Sequence, residues 1–155
     1  VLERWKASAT SPLFAGEGIQ AARDRYEALA DLVGRMHRAG VPVLPGTDLS
    51  VEAPWQVAGF SLHDELLLLV EAGLSPMDAI RAATSTPATV LGLIDLGTVE
   101  VGKLADLVIL DADPLTDIRN TRRIAGVVSR GIYLGRPALD SLLTAAEEVA
   151  SGARN

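Results

Sequence analysis

The sequence predicts an α/β fold, because a helix-type pattern is followed by a strand-type run and the second half changes to the alternation of strands. Residues 19–38 place apolar side chains at steps of three and four, as on one helix face, and Gly40 ends the segment. The run VPVLPGTD at residues 41–48 then predicts one buried strand that ends in Asp48. In α/β barrels the chemistry lies at the carboxyl ends of the strands, so Asp48 is the first candidate for a functional residue.

Four helices are predicted after Asp48, most of them with a clear start or stop signal. Residues 62–72 are apolar around the whole circumference, so we expect a buried helix that ends at Gly73. Ser75 offers an N-cap oxygen for the next helix, and Pro76 suits its first position. A Thr-Pro pair repeats this start, and an amphipathic helix closes the chain. The predicted helices cover residues 19–38, 62–72, 76–83, 86–92 and 139–150.

Two pairs of short strands are predicted in the second half. A Gly-Lys turn separates the first pair, which indicates a hairpin, and Gly131 marks the turn of the second pair. Lys103 and Asp106 are expected to pair across the first turn. The predicted strands cover residues 98–101, 106–110, 124–129 and 132–134.

The stretch GTVEVGK at residues 97–103 contains most of a phosphate-binding loop. Leu104 occupies the place of the Ser or Thr that such a loop needs, and a strand rather than a helix is expected to follow. Nucleotide binding is therefore disfavoured, and the predicted hairpin explains both glycines.

Composition and net charge limit the classes of molecule that the protein is expected to bind. The 155 residues are 48% hydrophobic, which is sufficient for a compact body. The net charge of −6 disfavours nucleic acid and anionic membranes, and no apolar run has transmembrane length. The sequence begins at Val1 without an N-terminal leader of charged residues followed by apolar ones. We therefore expect any targeting signal to lie in sequence upstream of Val1, and we favour a cytoplasmic location.

Two segments after Asp48 carry a family resemblance. They are LHDELLLLVEAGLSPMDAIRAATSTPATVLGL (residues 62–93) and DLGTVEVGKLADLVILDADPLTDI (residues 95–118). In this order they resemble the C-terminal part of a metal-dependent amidohydrolase, and they are most similar to the imidazolonepropionase-like and Xaa-Pro dipeptidase-like branch. The resemblance extends from about residue 40 to about residue 136.

The resemblance implies the C-terminal piece of a (β/α)8 TIM barrel, with its last strand and flanking helices, and part of a small composite β-domain. Residues 1–93 would belong to the barrel, residues 94–137 to the β-domain, and residues 138–155 to a terminal helix and tail. A complete barrel needs about 250 residues. We therefore expect this sequence to be a fragment of a longer enzyme.

The resemblance also implies a role for Asp48, which matches the family's last-strand aspartate: it would be a metal ligand and the general base. The implied cofactor is a divalent metal, with one or two zinc ions expected. The family's other ligands are an HxH pair, a lysine or glutamate and two further histidines, and these motifs are absent here. The chain has only His37 and His63, at positions that do not match, whereas a catalytic zinc usually has three protein ligands. The isolated chain is therefore expected to be inactive.

Other candidate residues have structural alternatives. Trp55 lies on the expected loop 49–59 and could line a substrate pocket. His63 could reach a substrate, or it could bond backbone at a helix start. Asp48 itself could cap the next turn.

Several charged residues have a structural explanation. Asp64, Glu65 and Asp78 are explained by favourable contacts with helix N-termini, and His37 is expected on the surface.

The function predicted for the parent protein is hydrolysis of an amide or other C–N bond by metal-activated water. A dipeptide, an N-acyl amino acid and a cyclic amide all remain possible substrates. The expected partner is a second copy of the chain or a complementing N-terminal segment. Two alternatives are a noncatalytic assembly module that completes a barrel with a partner chain, and an independent small binding domain. The unpaired edges of a single barrel strand argue against the last of these.

Overall fold

The computed structural model of the protein describes residues 19–48 and 57–152. The chain divides into two compact units, Val1–Pro87 and Ala88–Asn155. The helices are α1 (Ile19–Arg38), α2 (Ser61–Glu71), α3 (Pro76–Ala83), α4 (Ser85–Val90), a 3-10 helix (Ile118–Arg122) and α5 (Arg136–Gly152). The strands are β1 (Leu107–Leu110), β2 (Ile124–Ser129) and β3 (Ile132–Gly135). No described helix combines the length and apolar character needed to cross a membrane.

The core of the first unit lies where α2 meets α3. Its buried side chains are Leu66, Leu69, Leu74, Ala79 and Ala82. The small alanines on α3 let the two helices approach closely, and the leucines fill the space between them. Burial of apolar side chains of this size is the main stabilising contribution available to so short a pair of helices.

The turn from α2 to α3 follows from its sequence. Gly73 has a φ of +104°, a conformation that glycine adopts without strain, and its N–H donates to Val70. The N–H of Leu74 donates to the carbonyl of Leu69 at 3.1 Å, which completes a Schellman motif. The hydroxyl of Ser75 then accepts from the N–H of Asp78 at 3.1 Å. The predicted end of α2 and the predicted cap of α3 are confirmed.

α1 packs against the end of α2 through a glycine. A Cβ at Gly34 would overlap the backbone carbonyl oxygen of Ala72. The same two helices are joined by Tyr26, whose hydroxyl donates to Glu71 at 3.4 Å. Gly34 is therefore needed for close approach, and not for an unusual backbone conformation.

The prediction of a strand at residues 41–47 is wrong. Within the described ranges this segment is not hydrogen-bonded to another strand, and the three-stranded sheet contains only β1, β2 and β3. The prediction of burial is also wrong, since Val41 is 41% exposed and Leu44 is 42% exposed. Residues 42–48 still alternate between exposed and half-buried positions, as extended backbone does. The physical reason is that a strand is defined by its ladder, and the described residues of this unit provide no neighbouring strand.

The second unit is an antiparallel sheet with the order β1-β2-β3. The predicted pairing of the strands that became β2 and β3 is confirmed: Ser129 lies opposite Ile132, and a two-residue turn joins them. Arg130 and Gly131 have φ values of +50° and +79°, as a type I′ turn requires. Such a turn fixes the register because its twist matches that of the strands.

The first predicted hairpin is wrong. Residues 98–101 form turns and irregular backbone, and β1 pairs with β2, with Leu107 opposite Val128. The expected pair between Lys103 and Asp106 is also wrong, because the carboxylate of Asp106 accepts from the N–H of Arg130 at 2.7 Å. β1 takes a partner that is distant in sequence and thereby becomes the edge of a continuous sheet.

Two further features concern the segments on either side of the sheet; the first agrees with the prediction and the second differs from it. A strand follows the glycine-containing turn at residues 97–103, as predicted, so the helix of a phosphate-binding loop is not formed there. α5 begins at Arg136 and not at the predicted residue 139. The side chain of Arg136 forms a pair with Asp140, one turn later, which supports the additional turn.

We predict that Gly34→Ala lowers the free energy of unfolding by about 1–3 kcal/mol, because the added methyl group would force α1 away from the carbonyl of Ala72. On an open helix surface the same change is favourable. Gly152→Ala, where a Cβ meets nothing within 4 Å, is the matched control and should be near neutral. Urea denaturation followed by circular dichroism measures both; equal effects would contradict the close approach.

Candidate functional site

Asp48 lies at the end of the extended segment 41–48, and its side chain is exposed. Its φ is +44°, in the left-handed region that few residues other than glycine adopt. Aspartate tolerates this region better than most residues, because its short side chain can bond locally. The extended segment therefore ends at Asp48 in a left-handed backbone conformation.

Glu65 on α2 is the second acidic residue of this site. It is half-buried, and the backbone N–H of Gly46 donates a hydrogen bond to its carboxylate. Burial raises the pKa of Glu65, the hydrogen bond from Gly46 opposes that change, and the nearby charges of Asp48 and Asp64 raise the pKa further. The structure thus brings Glu65 next to the segment that carries Asp48.

Sequence reasoning missed the relation between Glu65 and Asp48, because a helix N-terminus already explained an acid at this position. A signal was present in the pattern of α2. Glu65 lies next to Leu66 and four residues before Leu69, both of which are buried, so it shares the inward face of an apolar helix. A carboxylate on such a face needs a polar partner, and the Gly46 N–H provides it.

The other two predicted site residues remain predictions. Trp55 lies outside the described residues. His63 is half-buried in the first turn of α2, and its backbone N–H donates to the carbonyl of Phe60 at 3.1 Å. The substrate-binding role predicted for these two residues is not tested by this geometry.

The described residues do not by themselves provide the ligands of a complete metal site. Within residues 19–48 and 57–152, no three His, Cys, Asp or Glu side chains come close enough to hold one ion. A catalytic zinc usually has three protein ligands, so the described residues alone do not form such a site.

A cavity of about 230 Å³ lies in the first unit at the start of the 41–48 segment. Its lining includes His37, Val41, Asp78 and Arg81, and no residue from 44 to 48 contributes to it. It is therefore distinct from the Asp48 site.

His37, which was expected on the surface, is half-buried at this cavity, so that prediction is wrong. Its Nε2 lies 3.7 Å from a carboxylate oxygen of Asp78, and this contact joins α1 to α3. In this contact the side chain of His37 is 32% exposed and that of Asp78 is 34% exposed.

The family of the chain follows from comparison with known proteins. Residues 19–133 match the amidohydrolase family, which is more than half of the chain. The chain belongs to the amidohydrolase family, and the resemblance inferred from residues 62–93 and 95–118 is confirmed.

Individual relatives agree with this assignment. The imidazolonepropionase of Pyrobaculum arsenaticum is 38% identical over 79 residues, which are 51% of this chain and 19% of that protein. The adenine deaminase of Clostridium perfringens is 48% identical over 50 residues, or 32% of this chain and 9% of that protein. The solved structure of a Xaa-Pro dipeptidase with bound methionine has a TM-score of 0.58 and 30% identity, covering 68% of this chain and 25% of that one.

The chain therefore spans about a fifth of the matched imidazolonepropionase and a quarter of the dipeptidase. The described α/β arrangement corresponds to part of these larger proteins. A complete barrel is not formed by the described residues.

We predict that acid weakens α3 through Asp78. The hydroxyl of Ser75 donates to this carboxylate and holds its pKa below the ordinary value, and the charges of His37 and Arg81 act in the same direction. A carboxyl group with a lowered pKa contributes stability above the pKa of the unfolded chain, about 3.9, and loses it as the pH falls further.

Urea midpoints measured between pH 6 and pH 3 test this prediction. The wild type should lose more stability over this range than Asp78→Asn, which has no proton to gain. Ser75→Ala, which removes the largest cause, should fall between the two. Identical pH profiles for all three proteins would refute the prediction.

Proposed function

We propose that this chain is part of a metal-dependent hydrolase that breaks an amide or other C–N bond, with Asp48 as metal ligand and general base. The observation that carries the proposal is the position of Asp48, an exposed carboxylate at the end of an extended segment in a chain of the amidohydrolase family. The deaminase and the dipeptidase among the relatives, by their names, both break bonds between carbon and nitrogen.

The chemistry assigned to this chain is proton transfer at the carboxylate oxygens of Asp48. A bound divalent metal would lower the pKa of water toward neutrality. Asp48 would take the proton of the attacking water and later give it to the leaving nitrogen. An exposed carboxylate suits both steps, because either of its oxygens can accept a proton and neither is enclosed by the helices.

The substrate would be a small amide, such as a dipeptide, an N-acyl amino acid or a cyclic amide. Trp55 and His63 are the residues proposed to contact it. The net charge of −6 suits a neutral or cationic substrate. Zinc is the proposed metal, as one or two ions, and the 155 residues alone would be inactive because the histidine ligands are not among them.

We predict that Asp48→Asn in the intact enzyme lowers kcat by about 10²–10⁴-fold, because the amide cannot accept the proton of the attacking water. Asparagine tolerates the left-handed backbone of this position, so the fold should be unchanged. Asp31→Asn, which removes the same charge from an exposed position of α1, is the control and should keep full activity. Turnover that survives in the Asp48 variant would overturn the assignment.

A second candidate, an assembly module that completes a barrel with a partner chain, is supported by one feature of α1. Its apolar side chains at helical spacing are largely exposed: Tyr26 44%, Leu29 55%, Leu32 44% and Met36 39%. Apolar side chains that recur on one helix face are expected to be covered by another part of the complete protein or by a partner. The roles of assembly module and of hydrolase are compatible if the polypeptide that covers α1 also carries the remaining metal ligands.

We predict that Leu29→Lys weakens association of the purified protein without unfolding it, because Leu29 is 55% exposed and contributes little to the described core. Glu27→Lys, on the other side of α1, is the control and should leave association unchanged. Sedimentation velocity over a concentration series makes the measurement. A wild type that stays monomeric throughout would argue against association with a second copy.

A further inference from the structure

We propose that the cavity between α1, the start of the 41–48 segment and α3 binds a small neutral carboxamide that carries an apolar group. The cavity lies wholly within the first unit, and no residue from 44 to 48 lines it. The site is therefore separate from Asp48, and this inference does not depend on the role proposed for that residue.

One side of the cavity is apolar. Val41, Pro42 and Val43 contribute one part of this wall, and Leu74 and Ala82, which are both buried, contribute the other. The volume of about 230 Å³ exceeds the cavity of about 150 Å³ that holds one benzene molecule in another protein. The wall therefore has room for an apolar group of the size of a phenyl ring.

The polar groups of the cavity are brought together by two helices. His37 comes from the last turn of α1, and Asp78 and Arg81 come from α3. Nε2 of His37 lies 3.7 Å from a carboxylate oxygen of Asp78, which is too long for a direct hydrogen bond. Both side chains are about one third exposed, so a ligand can reach them from solvent.

Arg81 and Asp78 together offer donors and an acceptor. One nitrogen of the Arg81 guanidinium lies 3.4 Å from Asp78, and this group carries five N–H donors. The hydroxyl of Ser75 donates to the other carboxylate oxygen of Asp78 at 2.6 Å, but each oxygen can accept more than one hydrogen bond. A ligand can therefore receive a hydrogen bond from Arg81 and donate one to Asp78.

The charges in the cavity favour a neutral ligand. The carboxylate of Asp78 and the guanidinium of Arg81 have opposite signs and lie in contact. An anionic ligand would meet the charge of Asp78, and a cationic ligand would meet that of Arg81. A carboxamide carries no charge, and its carbonyl oxygen and its N–H groups match the donor and the acceptor that the cavity presents.

Benzamide, benzoate and benzamidine are suitable probes because they have nearly the same shape and differ in charge. Benzoate lacks the N–H donor, and benzamidine lacks the carbonyl acceptor. Nuclear magnetic resonance titration of the 155-residue chain follows the amide signals of Gly40, Val43 and Ala82, which line the cavity. The amide of Asp24, about 20 Å from His37 along α1, is the internal reference.

Two variants test the two sides of the cavity. Arg81→Gln removes the cationic donor, and Arg35→Gln is its matched control, because Arg35 pairs with Asp31 on α1 and does not line the cavity. Val41→Phe places a larger side chain at a partly exposed position of the apolar wall and should fill the space. Circular dichroism checks that each variant keeps its helix content.

We expect benzamide to shift the cavity signals saturably and to bind at least about tenfold more tightly than either charged probe, because each of those leaves one polar group unmatched. Arg81→Gln should weaken benzamide binding by about tenfold, and Arg35→Gln should leave it unchanged. Benzamide should also raise the urea midpoint of the wild type but not that of Val41→Phe, because a ligand stabilises only the folded state that binds it.

Three results would each overturn the proposal. The first is the absence of saturable shifts with benzamide, or equal shifts with all three probes. The second is equal affinity in Arg81→Gln and Arg35→Gln. The third is unchanged binding in Val41→Phe, which would place the ligand outside the cavity. None of these results bears on the proposed function, which the turnover of Asp48→Asn tests separately.

Discussion

The packing of α2 against α1 and α3 is the constraint on which the first unit depends. Leu66 and Leu69 face inward from α2, and Gly34 lets α1 approach the end of the same helix. Such short helices are marginal alone, so most of their stability comes from this contact. Because α2 is fixed on two sides, any polar group on its inward face is fixed as well, and Glu65 is such a group.

The candidate residue Asp48 ends a segment of irregular backbone. The 41–48 segment has no strand beside it within the described residues, yet it keeps the alternation of extended backbone and ends in a left-handed aspartate. A hydrogen bond from Val41 to Met36 joins the start of the segment to α1, and the N–H of Gly46 contacts the carboxylate of Glu65 on α2.

Membership of the amidohydrolase family and the exposed apolar face of α1 are consistent with each other. The chain spans 19% of a related imidazolonepropionase and 25% of a related dipeptidase. Leu29 and Leu32 on α1 are exposed, and apolar side chains on one helix face are expected to be exposed where another surface can cover them. Within the described residues, no three His, Cys, Asp or Glu side chains lie close enough to hold one metal ion.

The sequence by itself determined the features that depend on neighbouring residues. The bounds of α1 and α3, the Gly73 end of α2, the Ser75 cap and the turn at Arg130 and Gly131 all follow from local backbone preferences, and the order of the two motif segments was enough to predict the family. Only the tertiary structure decided which distant segments meet. β1 pairs with β2 and not with residues 98–101, His37 turns toward Asp78, and Glu65 meets Gly46. Such contacts depend on the arrangement of packed elements, and a local pattern carries no information about which distant partner will satisfy a strand edge or a half-buried carboxylate.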